Sequence, residues 1–234
     1  MKIVAWNCRG LGNRSAVRGL LACQKSENAD ILFLSETKLD KRRMEKFRWM
    51  LGLTNMLVRE GKGKGGGFAV FWQKGVDVSL RSISDYFMDV DVKEEDGFCW
   101  RVTGVYGEAH SELKYRTWQQ LCGLHVQPVK PWLFAGDSNE ILLSHEKEGG
   151  RPRSQRCMDL FRDALQDCEL HDLGFEGDMF TWRNHNHVAD DYIKERLDRA
   201  MANDLWRRRF PGVRVINGDP RHSDNRPVII DTEK

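Results

Sequence analysis

The sequence predicts a mixed α/β sandwich, and three observations carry that prediction. Short apolar runs suited to buried strands recur along the chain. Single amphipathic helices separate them, and no linker, repeat or low-complexity tract divides the 234 residues. A chain of this length can bury one large core, so residues 1–234 read as one domain.

Residues 2–6 form a short strand. Over residues 14–25, Val17, Leu20, Leu21 and Gln24 return at helical spacing, with the apolar residues on one face. Residues 31–34 are continuously apolar, as in a strand covered on both faces. Residues 44–51 read as helix, 62–67 as a Gly/Lys loop and 68–72 as a strand. Val76, Val78 and Leu80 alternate with polar residues, as do Phe98, Trp100 and Val102 within residues 98–106. Both segments read as half-buried strands. Residues 112–124 form a helix with Trp118, Leu121 and Cys122 on its apolar face, and 132–135 another buried strand. A helix at 155–165, a strand at 179–183 and a short helix at 203–210 come next, and residues 213–216 and 227–230 close the sheets.

Hydrophobic residues make up 40% of the chain and charged residues 31%, which suits a globular protein. No apolar run reaches the roughly 20 residues of a membrane span. The N-terminus meets a polar residue too soon for a signal peptide, so an intracellular location is expected. Cys8, Cys23, Cys99, Cys122, Cys157 and Cys168 contain no CxxC pair and read as reduced, mostly buried thiols, not a zinc or disulfide framework. The net charge of +2 decides nothing. Basic residues do cluster in 38–48, 59–64 and 207–209, while 85–96 is acidic. Such basic clusters suit a phosphate backbone, or simply a solvated mixed-charge surface.

The informative pattern lies in the polar residues at the end of each buried strand. Residues 2–6 end at Asn7, 31–34 at Ser35-Glu36, 98–105 at Tyr106, and 132–135 at Gly136-Asp137-Ser138-Asn139. Ser223-Asp224-Asn225 precedes the last strand. With suitable strand directions these polar ends converge on one rim. Carboxylates gathered there repel one another unless a cation neutralises them, and oxygen donors of this kind suit Mg²⁺ or Mn²⁺, not zinc.

The order of motifs is also specific. KIVAWNCRGLGN (residues 2–13), ILFLSETK (31–38), GGGFAVFW (65–72), VYG (105–107), GDSNEIL (136–142), FTWRN (180–184), ERLDRA (195–200) and HSDNRPVII (222–230) span nearly the whole chain. Together they resemble the endonuclease/exonuclease/phosphatase superfamily, in particular the endonuclease domain of plant LINE-type retrotransposons. The resemblance implies a deoxyribonuclease I-like fold, a four-layered sandwich of two mixed β-sheets flanked by helices. It implies a Mg²⁺-dependent endonuclease (Mn²⁺ as the alternative) that nicks double-stranded DNA through phosphate contacts, as a monomer and with no membrane association. Action on chromosomal DNA would place it in the nucleus.

By the same resemblance Asn7 and Glu36 hold the metal, with Asp224 as a further ligand or an anchor behind it. Tyr106 touches the scissile phosphate. Asp137 activates the attacking water or stabilises the leaving oxygen, and Asn139 positions it. Asp198 orients the residue at position 225. Blander readings stand beside these: Asn7 as a turn cap, Glu36 as an ion-pair partner of Lys38 or a nearby arginine, and Asp198 as a surface ion pair. Trp72 and Trp182 read as core aromatics, with stacking on a base as an alternative for Trp182. His185-Asn186-His187 reads as a solvated loop.

Two positions depart from the family pattern. Ser138 stands where an apolar residue normally packs beneath the loop, which implies a small packing loss. Asn225 replaces the family's histidine, and an amide can donate a hydrogen bond but cannot carry charge or shuttle a proton. The expectation is therefore a weakened DNA-nicking enzyme. The alternative is a catalytically silent nucleic-acid-binding or regulatory domain that keeps the fold.

Overall fold

The computed structural model describes residues 1–61, 66–125, 129–184, 186 and 191–233. In chain order these form β1 (Lys2–Asn7), α1 (Arg14–Glu27), β2 (Ile31–Ser35), α2 (Lys41–Met50), β3 (Asn55–Arg59), β4 (Phe68–Trp72), β5 (Asp77–Ile83), β6 (Phe87–Lys93), β7 (Cys99–Tyr106), α3 (Tyr115–Leu124) and β8 (Trp132–Asp137). The second half of the chain adds β9 (Lys147–Glu148), α4 (Gln155–Asp167), β10 (His171–Asp172), β11 (Glu176–Gly177), β12 (Trp182–Arg183), β13 (Lys194–Glu195), β14 (Asp198–Ala202), α5 (Asp204–Arg209), β15 (Arg214–Asn217) and β16 (Val228–Asp231).

The strands build two large mixed sheets, ordered β11-β15-β16-β1-β2-β4-β3 and β10-β14-β8-β7-β6-β5, with a small sheet β12-β13-β9 at the side. Each large sheet has a parallel pair at its centre, β1 with β2 and β7 with β8. The flanking pairs β1–β16 and β14–β8 are antiparallel.

Side-chain alternation makes the layers. Ile3 and Ala5 of β1 enter the apolar layer between the sheets, where Val90, Val102, Leu133 and Ala200 meet them. Val4 and Trp6 face the other way, onto Leu20 of α1 and Met44 and Phe47 of α2. Trp118 of α3 and Phe161 of α4 stack 4.2 Å apart and cover the outer face of the second sheet. The result is the four-layered α/β/β/α sandwich. Close approach of the sheets depends on Gly104, where a Cβ atom would lie 2.2 Å from the Phe33 ring.

Helix ends are set by short polar side chains. Asn13 accepts from the Ala16 N–H at 2.8 Å, and Asp40 from the Arg43 N–H at 2.7 Å. Asn28 closes α1 in the left-handed region, φ 49°.

Several elements differ from the sequence reading. β6 lies in the segment read as acidic: Met88, Val90 and Val92 face the core, and Asp89 is buried because Arg101 (2.7 Å) and Thr103 (2.6 Å) bind it. β3 and β14 were not read as strands either. The strand expected at 179–183 shrinks to Trp182–Arg183, with Phe180 and Thr181 buried beside it. α2 starts earlier than expected, at Lys41 behind its Asp40 cap, and α3 later, at Tyr115 after a run of turns. Residues 62–65 of the predicted loop, and His185 and His187, lie outside the described residues. Four of the six cysteines are buried and two half-buried, all as free thiols. Among the described residues no helix is long and apolar enough to cross a membrane.

Candidate active site

The two-residue period of a strand decides which side chains reach the mouth between the sheets. On β1, Asn7 continues the inward series of Ile3 and Ala5. On β7, Tyr106 continues Trp100 and Val102. On β8, Asp137 continues Leu133 and Ala135. On β14, Asp198 precedes Ala200 and Ala202. Tyr106 and Asp198 both pair in register with Asp137, so these three share one end of the second sheet. Asn7 and Ser35 share the matching end of the first sheet.

Asn7 joins the two ends. Its Nδ2 donates to Glu36 Oε1 at 3.0 Å and to Asp137 Oδ2 at 2.9 Å, while its Oδ1 accepts from the Arg9 N–H at 3.1 Å. The Tyr106 hydroxyl donates to the same Glu36 Oε1 at 2.8 Å, and Lys38 Nζ lies 2.8 Å from Oε2. Glu36 takes a left-handed backbone, φ 51°, as the chain turns off β2. Asn139 does the same after β8, φ 52°. Its N–H donates to Asp137 Oδ1 at 2.8 Å, and its Nδ2 donates to the Gly107 carbonyl at 2.7 Å. Gly107 permits this approach, since a Cβ there would meet the Ser138 carbonyl oxygen at 2.2 Å.

The charges are unequal. Burial pushes Glu36 upward, but Lys38, Asn7 and Tyr106 outweigh it and hold the carboxyl below its ordinary value. Asp137 is fully enclosed, and burial raises it; the Glu36 charge adds to the rise, while Asn7 and the Asn139 N–H offset part. Asp198 is pushed well above the carboxylate range by burial and then by the facing Asp137. Burial, then Glu36, raise the Tyr106 phenol, which therefore stays a protonated donor. The arrangement offers an ionised carboxylate at Glu36, a carboxyl with raised proton affinity at Asp137, and fixed donors at Asn7 and Tyr106.

Residues 4–224 match the endonuclease/exonuclease/phosphatase family. The chain belongs to that family. Solved structures of similar fold agree across nearly the full length. The endonuclease domain of TRAS1, a telomere-specific non-LTR retrotransposon, is 15% identical with a TM-score of 0.71, over 100% of this chain and 98% of that one. The 3′ phosphatase NExo from Neisseria, solved with a product DNA hairpin, is 18% identical with a TM-score of 0.74, over 99% and 98%. An AP endonuclease from Archaeoglobus fulgidus is 16% identical with a TM-score of 0.73, over 100% of both chains. A search of curated proteins found no match by sequence.

As a member of the endonuclease/exonuclease/phosphatase family, the chain places its other motif residues on the same rim. Ser223 Oγ donates to the Asn7 carbonyl at 2.8 Å, which sets Asp224 beside β1. Asp224 is closely surrounded: it ion-pairs with Arg9, accepts from Trp182 Nε1 at 2.9 Å, and accepts from Asn225 Nδ2 at 3.1 Å. Trp182 is thus tied to the rim, not free in the core. Asn225 is buried, its carbonyl accepting from Trp6 Nε1 at 2.9 Å. Its Oδ1 has no hydrogen-bond partner, and neither carboxylate oxygen of Asp198 meets a donor. Asp198 is 1% exposed, so the surface ion-pair reading is corrected: β14 carries it into the sandwich. Ser138 is buried too, with its hydroxyl unpaired.

Three cations went unassigned in the sequence. Arg9 lies in the WNCRGLG motif and Lys38 in ILFLSETK; the Lys38–Glu36 pair matches the ion-pair alternative for Glu36, and the Arg9–Asp224 pair has no counterpart in the sequence reading. Lys114 gave no signal. It is 1% exposed, donates to Glu140 Oε2 at 2.8 Å and to the Asn139 carbonyl, and so braces the Asp137–Asn139 turn from behind. Lys114→Ala takes the nearer cation from buried Glu140, which keeps Arg153 Nε at 4.0 Å and the Ile141 N–H at 3.0 Å, an expected cost of about 1–3 kcal/mol measurable by urea unfolding. A loss below about 1 kcal/mol would show that water replaces the ammonium.

Proposed function

We propose that this chain is a divalent-metal-dependent phosphodiesterase that nicks double-stranded DNA in the manner of a retrotransposon endonuclease. The observation that carries the reading is the Asn7 amide, which holds the carboxylates of two different sheets, Glu36 and Asp137, at one open rim. Similarity to the TRAS1 endonuclease and to a phosphatase solved with a DNA hairpin supports DNA as the substrate.

The donors fit a hard, hydrated cation such as Mg²⁺, with Mn²⁺ as the alternative. Glu36 is ionised and presents only oxygen. Among the described residues no three His, Cys, Asp or Glu side chains stand close enough to enclose an ion. Mg²⁺ keeps several waters and is held by one or two carboxylates and the substrate phosphate. Glu36 would hold it, and Asn7 could add its oxygen only with the amide turned over. The partners around Asp224 favour the anchoring role over direct ligation. When bound, the cation would neutralise charge gathering on the scissile phosphate.

The chain's own groups supply the rest. Asp137, with raised proton affinity, accepts the proton of the attacking water, and Asn139 fixes its orientation. Tyr106 and Asn7 offer preset donors to phosphate oxygens once Glu36 is shared. Mg²⁺-dependent nicking of supercoiled plasmid, abolished by EDTA, is the expected result, and Glu36→Ala should abolish Mg²⁺-dependent thermal stabilisation. Stabilisation unchanged in Glu36→Ala would remove Glu36 from the site. The second reading, a silent DNA-binding domain, is favoured by one observation, the buried Asp198 and Asn225 side chains whose oxygens meet no donor.

DNA binding should weaken steeply with salt, as counterions return to the phosphates. Position on the fold divides the basic clusters. Arg209 pairs with Glu94 and Asp96 beyond the ends of β6 and β7 remote from Tyr106, so the 207–209 run sits opposite the rim. Lys41 and Arg42 are exposed at the start of α2, shortly after Glu36. Lys41→Ala with Arg42→Ala should lower duplex affinity and flatten its salt dependence, while alanines at Arg207, Arg208 and Arg209 should do neither. The reverse outcome would move the DNA to the other end of the sandwich.

A further inference from the structure

We infer that Arg9 is the phosphate-binding cation of the rim and supplies the positive charge that Asn225 lacks; this rests on the phosphodiesterase reading above. Half-buried Glu36 stands at the mouth of the sandwich with Asp224, Asp137 and Asp198 buried behind it, and a DNA phosphate can approach such an acidic rim only if cations answer it. Lys38 is committed to Glu36 at 2.8 Å. Asn225 is neutral and turned onto Asp224.

Arg9 is held differently. Its backbone takes a left-handed conformation, φ 48°, which a non-glycine residue adopts only when its surroundings fix it. Here the Asn7 side chain fixes it, accepting the Arg9 N–H at 3.1 Å. The guanidinium then leans on Asp224, whose side chain is 1% exposed, while the Arg9 side chain itself remains 51% exposed. One edge of the fork is anchored on a buried carboxylate and the rest faces solvent. Guanidinium carries five N–H donors in a plane that matches two phosphate oxygens. A cation pre-anchored on Asp224 loses little entropy when a phosphate arrives.

The test compares the parent chain with Arg9→Ala and Arg9→Lys in two assays. The first is duplex binding in EDTA across a salt titration, which needs no turnover. One lost phosphate contact makes the plot of log affinity against log salt shallower by about 0.9, and Arg9→Lys should retain the parent slope. The second is plasmid nicking in Mg²⁺, where Arg9→Ala should lower kcat by about 10²-fold and Arg9→Lys should recover only part, because an ammonium lacks the fork. Unchanged slope and unchanged kcat in Arg9→Ala would overturn the inference. So would faster nicking in Arg9→Ala, which would mean that Arg9 obstructs the rim. If the parent chain nicks nothing, the catalytic reading fails, and the salt slope alone still decides whether Arg9 binds phosphate. Thermal unfolding of Arg9→Ala beside Arg9→Lys and the parent shows whether a loss in Arg9→Ala comes from misfolding.

Discussion

Asn225→His is expected to nick plasmid about 10²-fold faster than the parent chain or more, with duplex affinity little changed. The rim already contains what an imidazole needs. Asn225 is buried with an unpaired Oδ1, and Asp198 is buried with both oxygens unpaired. Under the proposed reading a histidine there would take Asp198 as its carboxylate partner, which favours the protonated form and presents a charged donor to the phosphate. The gain should depend on Asp198: Asp198→Asn should slow the Asn225→His chain far more than the parent. His222 does not compensate in the parent, because it is exposed and packs against α1, where a Cβ on Gly19 would meet its ring at 2.9 Å. If Asn225→His adds nothing to a chain that already nicks at full rate, position 225 is not the charged site, and Arg9 becomes the first group to examine.

Asp198→Asn alone is expected to stabilise the parent chain at neutral pH in metal-free buffer. Burial and then the facing Asp137 raise the Asp198 carboxyl well above its ordinary value, and Thr181 and Arg199 offset only part of the rise. Such a group binds more protons folded than unfolded. Its contribution to stability therefore declines as pH rises from the unfolded carboxyl value of about 3.9 through the folded one, and stays lost above that window. Relieving an unpaired buried carboxylate is worth about 1–3 kcal/mol, or about 2–4 °C in Tm for each kcal/mol in a chain of this size. The melting temperature of Asp198→Asn should also vary less between about pH 4 and 8 than that of the parent. A lower Tm at every pH would show that Asp198 is compensated in the folded state.

The layers were legible because apolar periodicity survives in single strands: Ile3 and Ala5 against Val4 and Trp6 is enough to place β1 between two apolar faces. β6 carries the alternation Met88, Val90 and Val92, masked by the acidic look that Asp89 and Asp91 give the segment; Asp89 is buried because Arg101 and Thr103 of β7, with Arg81 of β5, satisfy it. Local sequence does not contain that pairing. The rim was legible as a set of strand ends, and the structure brings Asn7, Glu36, Tyr106, Asp137 and Asn139 into one hydrogen-bonded group. Its supports were not. Lys114 reaches Glu140 across 26 positions with no periodic signal, and the Arg9–Asp224 pair closes across the whole chain. Charge runs showed their sign but not their place: the 207–209 run lies at the end of the sandwich remote from Tyr106, which the sequence does not reveal.

The most direct measurement is the plasmid-nicking rate of Asp137→Asn in Mg²⁺ beside that of the parent chain. The substitution keeps the size of the side chain and one acceptor oxygen for the Asn139 N–H, turns an amide donor toward Asn7 Nδ2, and removes the proposed proton acceptor at the point where the two sheets meet. The rate should fall by about 10²-fold or more, with duplex affinity in EDTA little altered. An Asp137→Asn chain that nicks as fast as the parent would contradict the assignment of the reaction to this rim.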